Sequence, residues 1–245
     1  MYQLPNPVCL LSLLLPVYTC LTGIDAGCSR INHRLHPRSC PLTDRDIALA
    51  KTNSRSSKIR EAYAAGQRHF GENFVQEGLE KIEALADLDL TWHFIGHLQS
   101  NKTRIVADNF DWVHTIDKLK TARRLSDQRP DHLAPLNVCL QVKVDQEESK
   151  GGVEPGELTE LIAQIEELPR LHLRGLMTLP APAQGFEAQC HPFRTLRQLR
   201  DRCASPRTPL YTLSMGMSAD LEAAIAEGAT IVRVGTAIFG PRNPI

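Results

Sequence analysis

The stretch LYTLSMGMSADLEAAIAEGATIVRVGT, residues 210–236, contains one full repeat of the pattern that decides the fold. LYTLSMG (210–216) and TIVRVGT (230–236) are short apolar runs that include glycine near their ends, as buried strands often do. Between them, Ala219–Ala226 is rich in alanine, leucine and glutamate, which favour helix. Ser218 and Asp220 offer a polar helix start, and Gly228 sits where a C-cap glycine would end the helix. Strand, helix and strand in this order form a β-α-β unit with parallel strands, because the helix carries the chain back across the sheet.

The same alternation extends back along the chain. IALAKT (47–52), HFGEN (69–73), TWHFIG (91–96), WVHTI (112–116), NVCLQVKV (137–144) and LHLRGLMTL (171–179) are the earlier apolar runs, recurring at intervals of roughly 20 to 35 residues. Ser57–Ala65, Val75–Leu85, Lys102–Ala107, Lys118–Gln128, Glu157–Leu168 and Phe193–Arg202 carry the charges and helix formers expected between them, with Gly66 closing the first. Eight strands alternating with amphipathic helices predict a single α/β domain, a (β/α)8 TIM-type barrel over residues 46–245.

Composition agrees with one domain and a small-molecule ligand. At 245 residues and 42% hydrophobic, the chain can bury a large core. Lys plus Arg and Asp plus Glu both number 28, so no net field favours nucleic acid or an anionic membrane, and neither partner is expected. The seven cysteines show no metal-ligand spacing, and no metal is expected; scattered cysteines fit reduced, buried side chains and a cytoplasmic location. Residues 1–45 differ from the rest. The apolar run Val8–Ile24 is interrupted by Pro16 and has no basic residue before it, the first being Arg30, so it is a poor secretory signal. This segment reads as an atypical leader, disordered or incorrectly assigned.

The chemistry is expected where the strands end, because barrels of this type build their sites from the loops after the carboxyl ends of the strands and often bind phosphate after strands seven and eight. Ser214-Met215-Gly216-Met217-Ser218 and Arg233-Val234-Gly235-Thr236 combine hydroxyls with glycines, which let backbone N–H groups approach a dianion. The plainer alternative is that these residues only terminate strands. Arg233 interrupts an apolar strand, which is costly unless it meets an anion, a polar ligand or a buried salt-bridge partner. Lys51, near the end of strand one, is either a solvated charge or a partly desolvated amine able to form a Schiff base. A lysine and a phosphate cradle across one barrel mouth make pyridoxal 5'-phosphate (PLP) a plausible cofactor.

AGQRHFGENFVQEGLEKI (65–82), WHFIGHLQSNK (92–102), FDWVHTID (110–117), RGLMTLPAP (174–182), SMGMSADLEAAIAEGAT (214–230) and VRVGTAIFG (232–240) resemble, in order, the signature blocks of the pyridoxal phosphate homeostasis protein family, over about residues 46 to 240. These proteins are similar to the alanine racemase barrel, of the fold-type III PLP proteins, without the appended β-domain. The resemblance implies that Lys51 carries the internal aldimine, that Ser214, Gly235 and Thr236 hold the phosphate, and that Arg233 faces the pyridine nitrogen. Asn73 and Met177 would line the mouth, or serve in ordinary barrel packing. Lys150, in a loop resembling a family loop, would assist transimination or remain a solvated charge. The segment after Lys51 departs from the family pattern in lacking its second lysine and proline, Lys143 stands where asparagine is usual, and His97 where proline is usual.

The function so implied is intracellular PLP (vitamin B6) homeostasis and delivery by a monomer or weak dimer without turnover of its own, with apo-PLP enzymes as candidate acceptors. The alternative is a fold-type III enzyme such as an amino-acid racemase, which needs acid–base groups on both faces of the substrate Cα. A third reading is an inactive barrel with an incomplete set of outer helices. His93, His114, His132, His172 and His191 show no metal or nucleophile pattern and are read as structural.

Overall fold

The computed structural model describes residues 56–145, 151–235 and Phe239, together with the backbone of Ile47–Lys51. Its strands are β1 (Ile47–Lys51), β2 (His69–Glu72), β3 (Thr91–Phe94), β4 (Trp112–Ile116), β5 (Leu136–Gln141), β6 (Leu171–Met177), β7 (Thr212–Met217) and β8 (Ile231–Val234). They pair in parallel in sequence order, and β1 pairs with β8 to close the barrel. Among the described residues seven helices lie outside it: α1 (Ser56–Ala64), α2 (Val75–Ala84), α3 (Thr103–Asn109), α4 (Leu119–Gln128), α5 (Leu158–Glu166), α6 (Phe186–Cys203) and α7 (Leu221–Ala226). Among the described residues no helix is long and apolar enough to cross a membrane.

The strands read as nearly continuous apolar runs because both of their faces are covered. Phe70, Phe94, Val113, Leu140, Leu176, Leu213 and Val232 join Ile59, Leu125, Leu158, Ile162, Phe193 and Leu196 of the helices in one buried cluster. Each such side chain contributes about 1.5–3 kcal/mol when fully buried. A separate, smaller cluster comprises Ile95, Ile231 and Trp112.

Three local differences from the sequence reading have physical causes. Helix α6 starts at Phe186, well before the expected Phe193, and runs through Pro192. Proline costs a helix interior about 3 kcal/mol, but Cys190, Pro192, Phe193, Leu196 and Leu199 are all buried along this helix, and their packing offsets that cost. Leu210 has φ 46°, so the extended run begins at Thr212 and not at Leu210. Asp220 stands at the N-cap of α7, but it makes no side-chain cap hydrogen bond; its carboxylate accepts the backbone N–H of Met217 at 2.6 Å and closes the preceding loop. Gly66 and Gly228 have φ 101° and 87°, as the helix-ending positions require.

Gly216 shapes the end of β7. Ser214 pairs with Ile231 and Met217 with Arg233, so β7 spends one more residue than β8 between these pairs, a bulge beside the barrel mouth. Gly216 has φ 92°, and a Cβ there would lie 2.4 Å from Ala224 Cβ of α7. Gly216→Ala combines left-handed backbone strain with overpacking, for an expected loss of about 3 kcal/mol. Thermal unfolding would register this as a fall in Tm of about 10 °C.

Candidate functional site

A cavity of about 320 Å³ opens at the carboxyl ends of the strands, lined by Asn73 and Phe74 after β2, Ile95, Gly96 and His97 after β3, Leu179 after β6, Met217 of β7 and Arg233 of β8. Arg233 is only 3% exposed. Its Nη1 donates to Ser214 Oγ at 2.8 Å and its Nη2 to the carbonyl of Thr178 at 2.9 Å. Its Nε is buried and has no hydrogen-bond partner among the described residues. Arg233 has no carboxylate partner among the described residues, so its charge is held by neutral oxygens. Burial lowers its pKa to about 10, against the opposing influence of Asp220 and Cys139, which leaves it a cation at neutral pH.

Behind Arg233 the barrel interior is polar. Ser214 Oγ lies 2.8 Å from His114 Nδ1, His114 Nε2 lies 2.9 Å from His93 Nδ1, and His93 Nε2 lies 3.0 Å from His69 Nδ1. His93, His114 and Ser214 are fully buried, and the Trp112 ring stacks on His93 with centroids 5.3 Å apart. Burial, reinforced by Arg233, pushes the His114 pKa down to about 3. Burial and the neighbouring His114 and His69 hold His93 well below its ordinary value. The Cys139 thiol is pushed up to about 12 by burial, which makes it a poor nucleophile. No group of three His, Cys, Asp or Glu side chains placed to hold a metal occurs among the described residues.

These neutral histidines give stability a pH dependence with a definite sign. His114 titrates near 3 when folded and at 6.5 in the reference state, so between these values the unfolded chain binds more protons. Its contribution is complete above pH 6.5 and is lost progressively as pH falls toward 3. Chemical denaturation at pH 5 should give an unfolding free energy lower than at pH 7 by about 2 kcal/mol from His114 alone, with His93 acting in the same direction.

The residues singled out from sequence occupy the following places. Lys51 ends β1 in register with Gly71, two positions beyond the pairing of Leu49 with Arg233, so the backbone puts it at the carboxyl end of the barrel. Asn73 and Arg233 line the same cavity. Met177 ends β6, fully buried and in register with Ser214. Gly235 follows β8, and its carbonyl accepts the N–H of Phe239 at 2.9 Å. Thr236, Lys150 and residues 1–45 lie outside the described residues. Of the two departures at the mouth, His97 lines the cavity, whereas Lys143 pairs with Glu154 at 2.8 Å. Sequence reasoning missed the chain of three histidines. Each sits in a different strand, and only the register brings them into contact.

Residues 33–243 match the family described as alanine racemase, N-terminal domain, which gives the class: a barrel of the alanine racemase type. An alanine racemase from Clostridium difficile, 14% identical with a TM-score of 0.69 over 83% of this chain and 54% of its own, shares the fold. The chain is 54% identical over 203 residues to the pyridoxal phosphate homeostasis protein of Pseudomonas aeruginosa, covering 83% of this chain and 86% of that protein. Identity to the Escherichia coli protein of the same name is 53%, over 80% and 85%. PipY of Synechococcus elongatus, solved with PLP bound, is 40% identical with a TM-score of 0.73, over 81% of this chain and 94% of its own. The chain belongs to the pyridoxal phosphate homeostasis protein family.

Proposed function

We propose that this protein binds PLP at the barrel mouth and serves its intracellular homeostasis and delivery, without turning over a substrate. The observation that carries this reading is Arg233, a buried cation at the cavity wall that is held by neutral oxygens and has no carboxylate partner among the described residues. A cation so placed favours a ligand that brings an anion or a lone pair, and the unprotonated pyridine nitrogen of PLP supplies the latter. Lys51 is the residue for covalent attachment of the aldehyde, while Gly235 and Thr236 hold the phosphate. Ser214 spends its hydroxyl on Arg233 and His114, so its part is to hold the guanidinium in place. Asn73 contacts the ligand from the cavity wall, Met177 packs beneath it, and Lys150 assists exchange of the attached amine.

Bound PLP supplies an electrophilic aldehyde and an electron-withdrawing ring. A guanidinium against the ring nitrogen keeps that nitrogen unprotonated and weakens the ring as an electron sink, which favours storage over racemisation. Apo forms of PLP-dependent enzymes are the expected acceptors, and the cytoplasm the expected location.

Titrating the purified protein with PLP while recording absorbance tests the reading. A saturable new visible band, with no racemisation of added amino acids, is the expected result. Racemisation at enzymatic rates would favour the fold-type III enzyme instead, and absence of the band would remove the proposal.

A further inference from the structure

We propose that the cations gathered at the starts of α3 and α4 form a docking shoulder beside the barrel mouth, and that its occupant is the acidic surface of a partner protein. Only the identity of that partner, an acceptor of PLP, rests on the function proposed above. The shoulder rests on the placement of charge.

Six cations, Lys102, Arg104, Lys118, Lys120, Arg123 and Arg124, lie at or near the starts of these two helices. Lys102 is half-buried and the other five are exposed. None of them pairs with a carboxylate among the described residues. Cations on α1 and α6 do pair, Lys58 with Glu61, Arg60 with Asp87, and Arg194 and Arg197 with Glu227. The arrangement also works against α4 itself. Lys118 stands at its N-cap and Lys120 in its first turn, with no acidic residue there to offset the positive end of the helix. Lys120 faces Arg123 and Arg124 one turn on, and like charges at these spacings repel. Helix stability therefore does not account for these side chains, whereas an anionic surface docked on them does. Of the carboxylates on the same segment, Asp108 and Asp127 stand toward the far ends of α3 and α4, Asp111 accepts the Trp92 N–H, and Asp117 is half-buried beside Gly151.

The shoulder is one piece and runs into the mouth. Arg124 Nη1 donates to the Ser100 carbonyl at 3.0 Å, which ties α4 to the loop before α3. That loop ends in Lys102 and begins with Gly96 and His97 of the cavity wall. Gly96 packs on the carbonyl of Asn73 so closely that no Cβ would fit. Next to Asn73, Phe74 is 63% exposed, and Met217, also on the cavity wall, is 38% exposed. An exposed aromatic ring and a methionine flanked by arginines and lysines have the composition of a protein interface. No large hydrophobic side chain of α3 or α4 is exposed, so the cationic face offers no ring for a base to stack on and no wedge for a bilayer. This favours a folded acidic partner over nucleic acid or membrane. A partner seated on the shoulder and on Phe74 covers the cavity.

Fluorescence anisotropy of a labelled glutamate-rich peptide, the probe for an acidic surface, titrated with the full chain tests the shoulder. Binding at about 0.15 M salt that weakens as salt rises is expected. Lys118→Glu, Lys120→Glu and Arg123→Glu together should weaken it at least about tenfold. A control of equal net charge on other elements, Lys58→Glu with Arg202→Glu and Arg207→Glu, should weaken it by about twofold at most, because distant charges are screened. Equal weakening in the two variants, or no binding by the wild-type chain, would overturn the shoulder. Hydrogen exchange of the wild-type complex needs no variant: slowed exchange in residues 96–104 and 118–124 is expected, and slowing only elsewhere would overturn it. Tighter binding of an oligonucleotide of matched charge, or of phosphatidylserine vesicles, would overturn the protein partner, as would a salt-sensitive dimer of the chain alone in sedimentation. None of the three reversed residues lines the cavity, so the visible band of bound PLP should match the wild type in that variant. Peptide binding by a wild-type chain that shows no such band would refute the PLP acceptor and uphold the shoulder.

Discussion

Lys51→Ala should abolish covalent retention of PLP while leaving a weaker, reversible affinity. Lys51 ends β1 at the carboxyl end of the barrel, and its register partner Gly71 belongs to the strand that leads into the cavity-lining Asn73. Removing the amine removes the only atom assigned to bond the aldehyde, but it does not touch Arg233 or Gly235. The visible band should therefore be lost, whereas ligand binding followed by calorimetry or dialysis should persist at higher concentration. An unchanged band in the variant would move the attachment to Lys143 or Lys150.

Arg233→Glu should produce the second large effect, in affinity and spectrum together. The substitution replaces a cation that donates to Ser214 and Thr178 with an anion beside the same oxygens. Hydrogen bonds to charged groups contribute about 1.5–3 kcal/mol, and repulsion of the phosphate adds to the loss, so affinity should fall by at least about 100-fold. A carboxylate near the ring nitrogen also favours its protonated form, which should shift the absorbance of bound ligand. Circular dichroism would establish that the variant is folded. A folded variant with wild-type affinity and absorbance would place Arg233 outside the ligand site.

The extent to which this architecture was legible in the sequence differs from element to element, for physical reasons. Parallel strands covered on both faces are largely apolar, so WVHTI or TIVRVGT stands out without knowledge of its neighbours even though each carries one buried polar side chain into the barrel. Arg233 was legible for the same reason, since a charge inside such a run demands an explanation, and the structure places it at the cavity wall. Helix α6 was only half legible because Pro192 reads as a helix boundary, while the burial that outweighs its cost depends on tertiary contacts. The histidine chain was not legible at all. HFGEN, WHFIG and WVHTI each contain one histidine, and nothing in any single strand says that His69, His93 and His114 meet. Ser214 shows the same limit, because nothing in its own strand says that its hydroxyl meets Arg233 and His114.

The most direct measurement of the central assignment is borohydride reduction of the PLP-loaded protein, followed by digestion and mass spectrometry. The expected result is one stably modified peptide, carrying the pyridoxyl group on Lys51. A pyridoxyl group on Lys143 or Lys150, or a protein that releases all of its ligand after reduction, would contradict it.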